Sequence, residues 1–234
     1  MHVKGKHIIV TGGSLGIGKE TAKNLIKKGA IVLVTGRSQE RLDRTFGDIE
    51  CHTIAFDIGD TSNIEHNAKK CLDLLNGQVD VLINNAGIGE RKSIEELSID
   101  SFMKVFNVNV FGLALFTKEM VPAMKNNNGG TIINIGSTAS LKGYQTGSIY
   151  ASSKFAVRCL TQCWQAELRP HNIRVCQINP SEVTTAFGSP DRIERNEVHN
   201  KLTSKEISHA ITSAIEMDDR GFINELNVWA TNPF

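Results

Sequence analysis

The sequence predicts an α/β fold in which a doubly wound parallel sheet of seven strands carries helices on both faces. Three observations predict it: short β-branched runs alternate with longer amphipathic segments, the short runs are apolar almost throughout, and a helical segment separates each run from the next. Strands separated by helices must pair in parallel through crossover connections. Strands that are apolar almost throughout indicate a sheet buried on both faces. We therefore expect a Rossmann-type sandwich.

The individual elements follow from the periodicity of the apolar residues. Strands are predicted at residues 7–11, 31–35, 52–56, 79–84, 131–135, 173–179 and 222–228. Helices are predicted at residues 16–28, 39–46, 64–75, 98–124, 149–168 and 205–217. Ser98 is the expected N-cap of the fourth helix. No repeat, Pro-rich linker or charge block divides the chain, so residues 1–234 are expected to form a single domain.

Composition excludes several classes of function. The 26 basic and 25 acidic residues leave a net charge of +1, which gives nucleic acid or an anionic membrane no attractive field. Apolar runs such as residues 31–34 are too short to cross a bilayer, and the N-terminus lacks the pattern of a signal peptide. The five cysteines form no CxxC pair, which indicates reduced thiols in the cytoplasm and no metal site. Cys159 and Cys163 are expected to be buried small side chains.

The glycine-rich turn at residues 11–18, TGGSLGIG, joins the first strand to the first helix. Gly12 permits a tight turn, Gly16 lets the backbone approach a pyrophosphate, and Gly18 lets the helix pack closely on the strand. The free N–H groups and the positive end of the helix dipole attract an anion. A plain glycine-rich turn is the alternative, but the position at the first strand–helix junction favours dinucleotide binding.

The motifs along the chain resemble those of the short-chain dehydrogenases/reductases. TGGSLGIG is similar to the TGxxxGIG loop of that family, and the remaining motifs follow in family order up to residue 185. They are Asn84-Asn85-Ala86-Gly87, Asn109 in NVNVFG, Ser137 in INIGSTAS, Tyr150 to Lys154 in YASSK, and Asn179-Pro180 in a segment similar to NPGxVxT. The resemblance implies a compact single-domain member, similar in a general way to 3-oxoacyl-carrier-protein reductases.

The resemblance also implies which residues contact a nicotinamide dinucleotide. The expected contacts are Gly12, Ser14, Gly16, Ile17, Gly18, Asn84, Ala86, Gly87, Tyr150, Lys154, Pro180, Val183 and Thr185. Asp57, after the third strand, matches the position that contacts adenine, although a loop cap with residues 61–62 is the alternative. Ser181 stands where the family has glycine, so this loop is expected to take a different path.

The end of the second strand indicates which nucleotide is bound. An acidic residue about 20 residues past the glycines usually holds the ribose 2′-hydroxyl, but here Arg37 and Ser38 occupy the strand tip. The planar fork of Arg37 suits a 2′-phosphate, and the Ser38 hydroxyl adds a hydrogen bond. We expect NADP(H), with NAD(H) as the alternative if Arg37 is merely solvated and Glu40 binds the ribose.

Four residues form the expected catalytic set. Tyr150 and Lys154 lie four residues apart, so they share one face of a helix. The Lys154 ammonium is expected to lower the Tyr150 pKa from its ordinary value of about 10. Ser137, at the end of the fifth strand, is placed to hydrogen-bond a substrate carbonyl. The resemblance implies that Asn109 binds a water that links Lys154 to solvent.

Each member of this set also has a plain structural alternative. The YxxxK pair occurs by chance on helix surfaces, Ser137 can cap a strand end, and Asn109 can be an ordinary polar residue. Their occurrence in family order beside the glycine turn favours catalysis. We expect interconversion of a carbonyl and a secondary alcohol by hydride transfer between NADP(H) and a small or medium ketone, aldehyde or 3-oxoacyl compound. A non-catalytic NADP(H)-binding regulator is the alternative.

The segment at residues 186–202 is polar, contains Pro190 and is expected to be a mobile flap over the substrate, with Phe187 at the border of the pocket. The helices at residues 101–124 and 150–168 resemble the paired dimerisation helices of the family. Exposed Phe111, Phe116 and Trp164 are expected to contribute apolar contact in a homodimer or homotetramer, with a role in the intramolecular core as the alternative.

Overall fold

A seven-stranded sheet runs through the molecule in the strand order β3-β2-β1-β4-β5-β6-β7. The computed structural model describes residues 2–189 and 191–233. The strands are β1 (His7–Val10), β2 (Ile31–Gly36), β3 (His52–Ala55), β4 (Val81–Asn84), β5 (Gly130–Ile135), β6 (Ile173–Pro180) and β7 (Glu225–Val228). Every neighbouring pair is parallel, which confirms the predicted doubly wound α/β fold. The chain builds outward from β1 to β3 and then returns to β4, so a crevice opens at the carboxyl ends of β1 and β4.

Seven helices connect these strands across the described residues. They are α1 (Gly16–Lys27), α2 (Gln39–Phe46), α3 (Ile64–Leu74), α4 (Ile99–Phe106), α5 (Leu113–Asn126), α6 (Ser148–Leu168) and α7 (Ser204–Glu216). Ser98 caps α4 as expected, because its hydroxyl accepts a hydrogen bond from the Ser101 N–H. The single helix predicted at 98–124 is instead divided by a π-helical segment, Asn107–Gly112, in which the hydrogen bonds skip one extra residue.

The core lies on both faces of the sheet, as the apolar strands predicted. On one face α1 and α7 pack over the sheet, with Ile8, Leu25 and Ile211 fully buried. On the other face α3 and α5 pack over it, with Phe116 and Met120 fully buried. Apolar side chains fill most of both faces. The largest described recess lined by the predicted site residues therefore lies at the carboxyl ends of the strands and not on a face of the sheet.

A row of polar side chains crosses the second of these buried faces. Asn84 on β4 donates to Asn134 on β5 at 2.9 Å, and Asn134 donates to Thr161 on α6 at 2.8 Å. Thr161 in turn lies 3.2 Å from the Gln177 side chain on β6, which donates to Asn179 at 2.7 Å. The row therefore links β4 to β6 through side chains, and it ends directly beside the backbone of Ser137, whose N–H donates to Asn179.

Several surface expectations are corrected by the structure. Cys159 and Cys163 are exposed on α6 rather than buried. Phe116 is fully buried in the core, and Trp164 is partly buried against the same core cluster. Of the three aromatic residues expected on the surface, Phe111 is the one that is clearly exposed. The sequence pattern placed Phe116 on the outside because it treated residues 98–124 as one regular helix, whereas the π-helical segment changes the face that α5 presents.

One stretch is long and apolar enough to cross a membrane by length and composition, which the short apolar runs did not indicate. It covers Ile99–Asn126, a helical stretch of 28 residues that contains an 18-residue window with a mean hydropathy of 1.3. Core helices of soluble proteins pass the same test, and here Phe116, Met120 and Met124 on this stretch pack into the core beneath the sheet. The property is therefore weak evidence for a membrane span.

Candidate active site

A cleft of about 230 Å³ opens at the carboxyl ends of β1, β4, β5 and β6. Fourteen of the sequence-predicted site residues line it. They are Gly12, Ser14, Gly16, Ile17, Arg37, Asp57, Ala86, Gly87, Ser137, Tyr150, Lys154, Pro180, Val183 and Thr185. Gly18, Ser38, Asn84 and Asn109 lie outside the lining. Side chains that are far apart in the sequence thus meet in one crevice because each follows the end of a parallel strand.

The glycine turn forms the floor of this cleft. Gly12 has φ of 64°, a conformation that a side chain disfavours, and a Cβ there would lie 2.7 Å from the Ala86 Cα. A Cβ at Gly18 would lie 2.8 Å from the Gly12 carbonyl oxygen, so glycine lets α1 lie against the turn. Gly18 therefore acts through packing, while Gly12 brings the turn close to the chain that follows β4.

The N-terminus of α1 has the chemistry of an anion site. Its N-cap, Leu15, supplies no side-chain hydrogen bond, and its first turn carries no acidic residue. The Gly16 N–H instead donates at 2.9 Å to the Glu194 carboxylate, which arrives from a segment 178 residues away. Backbone N–H groups and the helix dipole attract negative charge at such a terminus. The glycine turn, with its close backbone approach, therefore fits the pyrophosphate of a dinucleotide.

Asn85, rather than Asn84, lines the cleft and contacts the glycine turn. The Asn85 side chain donates to the carbonyl oxygens of Thr11 and Gly12 at 2.9 and 3.0 Å, and its N–H donates to the Thr11 hydroxyl. Asn84 is a strand residue, 2% exposed, and its side chain belongs to the polar row across the sheet. The expected cofactor contact of Asn84 is corrected accordingly. The difference arises because β4 ends at Asn84, so Asn85 is the first side chain free to turn toward the glycines.

The end of β2 carries positive charge toward the cleft. Arg37 lines it together with Arg41 from α2 and Arg192 from the segment after β6, two residues that the sequence analysis did not single out. Ser38 is used differently from the expectation, because its hydroxyl caps α2 by accepting from the Arg41 N–H at 3.2 Å. Asp57 lines the cleft and accepts a hydrogen bond from the Gly59 N–H. The Ser62 hydroxyl donates to Asp60 and not to Asp57, so the alternative loop cap with residues 61–62 is made by a different residue.

Tyr150 and Lys154 lie one turn apart on α6 and both face the cleft. The Lys154 Nζ lies 5.8 Å from the centroid of the Tyr150 ring and donates a hydrogen bond to the Ile135 carbonyl oxygen at 2.7 Å. Ser137 follows β5 and caps the short helix Thr138–Ser140, accepting from the Ala139 N–H. Ser137 therefore has the capping role given above as its structural alternative, and it also lines the cleft.

The pKa of Tyr150 differs from the sequence-based expectation. Burial raises it to about 12, against the opposing effect of a hydrogen bond from the Ser137 side chain. Burial also lowers the pKa of Lys154 to about 8, because the enclosed amine loses solvation. The predicted lowering by Lys154 is wrong for the protein without cofactor, since the amine is directed to Ile135. Tyr150 is consequently a protonated phenol at neutral pH, and burial makes it a weaker acid than a free tyrosine.

Asn109 lies in the π-helical segment, buried behind the cleft. Its side-chain oxygen accepts from the Ile88 N–H at 2.9 Å, and its amide nitrogen donates to the Ile88 carbonyl oxygen and the Ser153 hydroxyl. Both amide hydrogens of this side chain are used, while its oxygen accepts one of the two hydrogen bonds that it can take. Asn109 therefore holds the loop after β4 against α6, and the water-binding role that the resemblance implies stays a prediction.

The segment at residues 186–202 covers one side of the cleft. Phe187 lies against Tyr150 with ring centroids 5.6 Å apart, which agrees with its expected place at the border of the pocket. Arg195 donates to the Phe187 carbonyl oxygen at 2.7 Å, and Glu194 bonds Lys19 as well as Gly16. Before this segment begins, the Ser181 N–H donates a hydrogen bond to the Val228 carbonyl oxygen at the end of β7. Pro190, noted in this flap, lies outside the described residues.

Comparison with known proteins agrees with this geometry. The sequence profile of the family described as short chain dehydrogenase matches residues 6–196, most of the chain. A 3-ketodihydrosphingosine reductase from Mus musculus is 34% identical over 191 residues, which are 77% of this chain and 57% of the mouse protein. This chain thus spans little more than half the length of that relative.

Solved structures resemble the whole chain. An alcohol dehydrogenase from Thermococcus sibiricus, complexed with 5-hydroxy-NADP, has a TM-score of 0.89 at 27% identity, covering 97% of both chains. A 3-ketoacyl-(acyl-carrier-protein) reductase from Brucella melitensis, complexed with NADH, has a TM-score of 0.87 at 26% identity, covering 99% of this chain and all of the other. On its fold, its matched motifs and these relatives, the chain belongs to the short-chain dehydrogenase family.

Proposed function

We propose that this chain is an NADP(H)-dependent oxidoreductase that interconverts a carbonyl and a secondary alcohol, with Tyr150 as the acid/base. One observation carries the proposal: Ser137, Tyr150 and Lys154 line the same cleft as the glycine turn. A proton donor, a hydrogen-bonding hydroxyl and a dinucleotide floor are the parts that such a reaction needs. The substrate class we propose is a small or medium ketone, an aldehyde or a 3-oxoacyl compound.

The chain's own residues handle the substrate oxygen and its proton. The bound nicotinamide supplies or accepts the hydride. In the reducing direction Tyr150, which is protonated at neutral pH, donates its hydroxyl proton to the carbonyl oxygen. The Ser137 hydroxyl hydrogen-bonds the same oxygen and stabilises the charge that develops on it. Lys154, enclosed beside them, holds positive charge close to the phenol and offers its amine to ribose hydroxyls.

The charge at the end of β2 supports NADP(H) as the cofactor. Arg37 and Arg41 line the cleft, and no acidic residue stands at the tip of β2 to hold a ribose 2′-hydroxyl. Glu40, the acidic alternative, pairs instead with Arg44 at 3.1 Å on the exposed side of α2. Guanidinium groups suit a phosphate dianion better than a neutral hydroxyl. The Thermococcus relative carries an NADP derivative and the Brucella relative NADH, so both cofactors occur among similar structures.

A binding and turnover experiment tests this proposal. The purified chain is titrated with NADPH and with NADH by following cofactor fluorescence, and is then assayed for NADPH oxidation with a panel of diketones, aldehydes and 3-oxoacyl thioesters. We expect tighter binding of NADPH than of NADH and turnover with at least one member of the panel. NADPH binding without turnover of any member would instead support the regulatory alternative, and binding of neither cofactor would contradict both.

We also propose a homo-oligomer in the cytoplasm that acts without nucleic acid or membrane. Phe111, Leu115 and Phe155 remain 41%, 38% and 43% exposed on adjoining parts of the π-helical segment, α5 and α6. Phe102, Phe106 and Phe111 continue this surface as a chain of neighbouring rings about 6.1 Å apart. Exposed apolar surface of this kind is typical of protein interfaces. The five free cysteines support a reducing compartment.

A further inference from the structure

Three guanidinium groups face one end of the cleft from three different parts of the chain. Arg37 follows β2, Arg41 lies on the first turn of α2, and Arg192 belongs to the segment at residues 186–202. The first two are fixed by the sheet and its helix. Arg192 comes from the flap that also carries Phe187 to the Tyr150 ring, so one segment reaches both ends of the cleft.

No counter-charge balances this group within the described residues. None of the guanidinium groups of Arg37, Arg41 and Arg192 has a hydrogen bond or ion pair to a described side chain. Asp57 is the single acidic residue lining the cleft across residues 2–189 and 191–233, and it bonds the Gly59 N–H. Burial and then the charges of Arg37 and Arg41 lower the pKa of Arg192. Like charges gathered without a partner are unfavourable unless a multiply charged anion joins them.

The flap is held so that Arg192 meets the other two. Glu194, two residues further on, accepts from the Gly16 N–H at 2.9 Å and from the Lys19 amine at 2.6 Å. Arg192 itself has φ of 54°, in the left-handed region that residues with a side chain rarely adopt. The bond between Lys19 and Glu194, which leaves the helix terminus free for a pyrophosphate, and this backbone turn together present the Arg192 side chain to the cleft.

We propose that Arg192 is a ligand of the 2′-phosphate of NADP(H), so that the flap over the substrate also takes part in selecting the cofactor. The inference rests on the proposed function. The phosphate dianion is held between the Arg37 fork on the sheet side and Arg192 on the flap side, with Arg41 beside them. A cofactor with a 2′-hydroxyl gains nothing from Arg192, because it carries no charge at that position.

Adenine nucleotides that lack nicotinamide test this proposal without relying on turnover. Calorimetric titration of the full chain compares 2′,5′-ADP with 5′-ADP in the wild type and in Arg192→Gln. We expect Arg192→Gln to weaken 2′,5′-ADP about tenfold, the loss of one charge-assisted hydrogen bond, and to leave 5′-ADP within about twofold. Arg192→Lys should recover part of the loss, because it keeps the charge and loses the fork.

A matched control and the opposite outcomes make the result decisive. Arg44→Gln removes the same charge from an exposed position on α2 outside the cleft, and both titrations should stay unchanged. Equal weakening of both nucleotides by Arg192→Gln, or no weakening of either, overturns the role of Arg192. A wild-type preference for 2′,5′-ADP that keeps its full size in Arg192→Gln overturns this inference alone. A wild type without that preference overturns the proposed choice of NADP(H) as well.

Discussion

The Lys154 amine is enclosed at the base of the cleft, with the whole residue 5% exposed. Its burial lowers the pKa from the ordinary 10.5 to about 8. The unfolded chain therefore binds this proton more tightly than the folded protein does. The charged amine opposes folding below pH 8, and this opposition fades as the pH rises from about 8 to 10.5. The ammonium that we propose for catalysis is thus held in place at the expense of stability.

Replacing this amine should stabilise the protein while removing its activity. Lys154→Met keeps the aliphatic stem, and a pKa of about 8 in place of 10.5 corresponds to about 3 kcal/mol. The hydrogen bond to the Ile135 carbonyl is lost, at a cost of about 1 kcal/mol. We expect a net gain of about 2 kcal/mol in the free energy of unfolding at pH 7, measured by urea denaturation.

The pH dependence distinguishes this cause from simple repacking. The gain should shrink as the pH rises from about 8 to 10.5 and should disappear above pH 10.5, because the amine is then largely neutral in both states. Lys125→Met, at an exposed position on α5, should show no such gain at either pH. The quantity to compare is the free energy of unfolding of Lys154→Met minus that of the wild type. If this difference were smaller at pH 7 than at pH 10.5, it would contradict the account.

At the scale of elements, the glycine turn and the chain after β4 depend on close contact. A Cβ at Gly12 would lie 2.7 Å from the Ala86 backbone, where no flexible side chain can yield, and φ at Gly12 is 64°. We expect Gly12→Ala to move this loop and to weaken NADPH binding at least about tenfold, measured by cofactor fluorescence. Gly143→Ala is the matched control, because a Cβ there meets nothing within 4 Å. Equal NADPH affinity in the two variants would show that the contact is not needed.

Element bounds were predictable wherever apolar periodicity was strong. The α2 bounds, 39–46, agree with the structure, and most strand bounds differ by one or two residues. The predicted strand at 222–228 begins only at Glu225, because β7 is an edge strand that pairs with β6 alone. The π-helical segment at Asn107–Gly112 was not predictable, since no residue type marks one extra residue per turn.

The positions of site residues were predictable where residue spacing and the ends of strands determine them. Tyr150, Lys154, Gly12 and Gly16 line the cleft as expected, because spacing and strand ends fix their positions. Asn84 and Asn85 were not separable in sequence, since their roles depend on where β4 stops. Arg192 was missed because it lies 155 residues after Arg37 in a segment without periodicity, and only the folded chain brings the two to one cleft.

At the scale of the whole molecule, the exposed aromatic surface on α4, the π-helical segment and α6 predicts self-association. Phe111→Lys places a charge in this surface and should convert a stable oligomer to smaller species at micromolar concentration, measured by light scattering. Ile31→Lys is the control, because Ile31 is 40% exposed, much like Phe111, but lies at the start of β2 and on none of these helices. A wild-type chain that is already monomeric, or an oligomer indifferent to Phe111→Lys, would contradict the proposed interface.

The central claim is that a protonated Tyr150 donates to a substrate oxygen above a nicotinamide held by the glycine turn. The most direct measurement is the single-turnover rate of NADPH oxidation, at saturating NADPH and carbonyl substrate, in the wild type and in Tyr150→Phe. Losing a positioned proton donor should slow this rate by about 10²- to 10⁴-fold, while NADPH affinity stays within about threefold. A Tyr150→Phe protein that reduces the carbonyl at the wild-type rate would contradict the account.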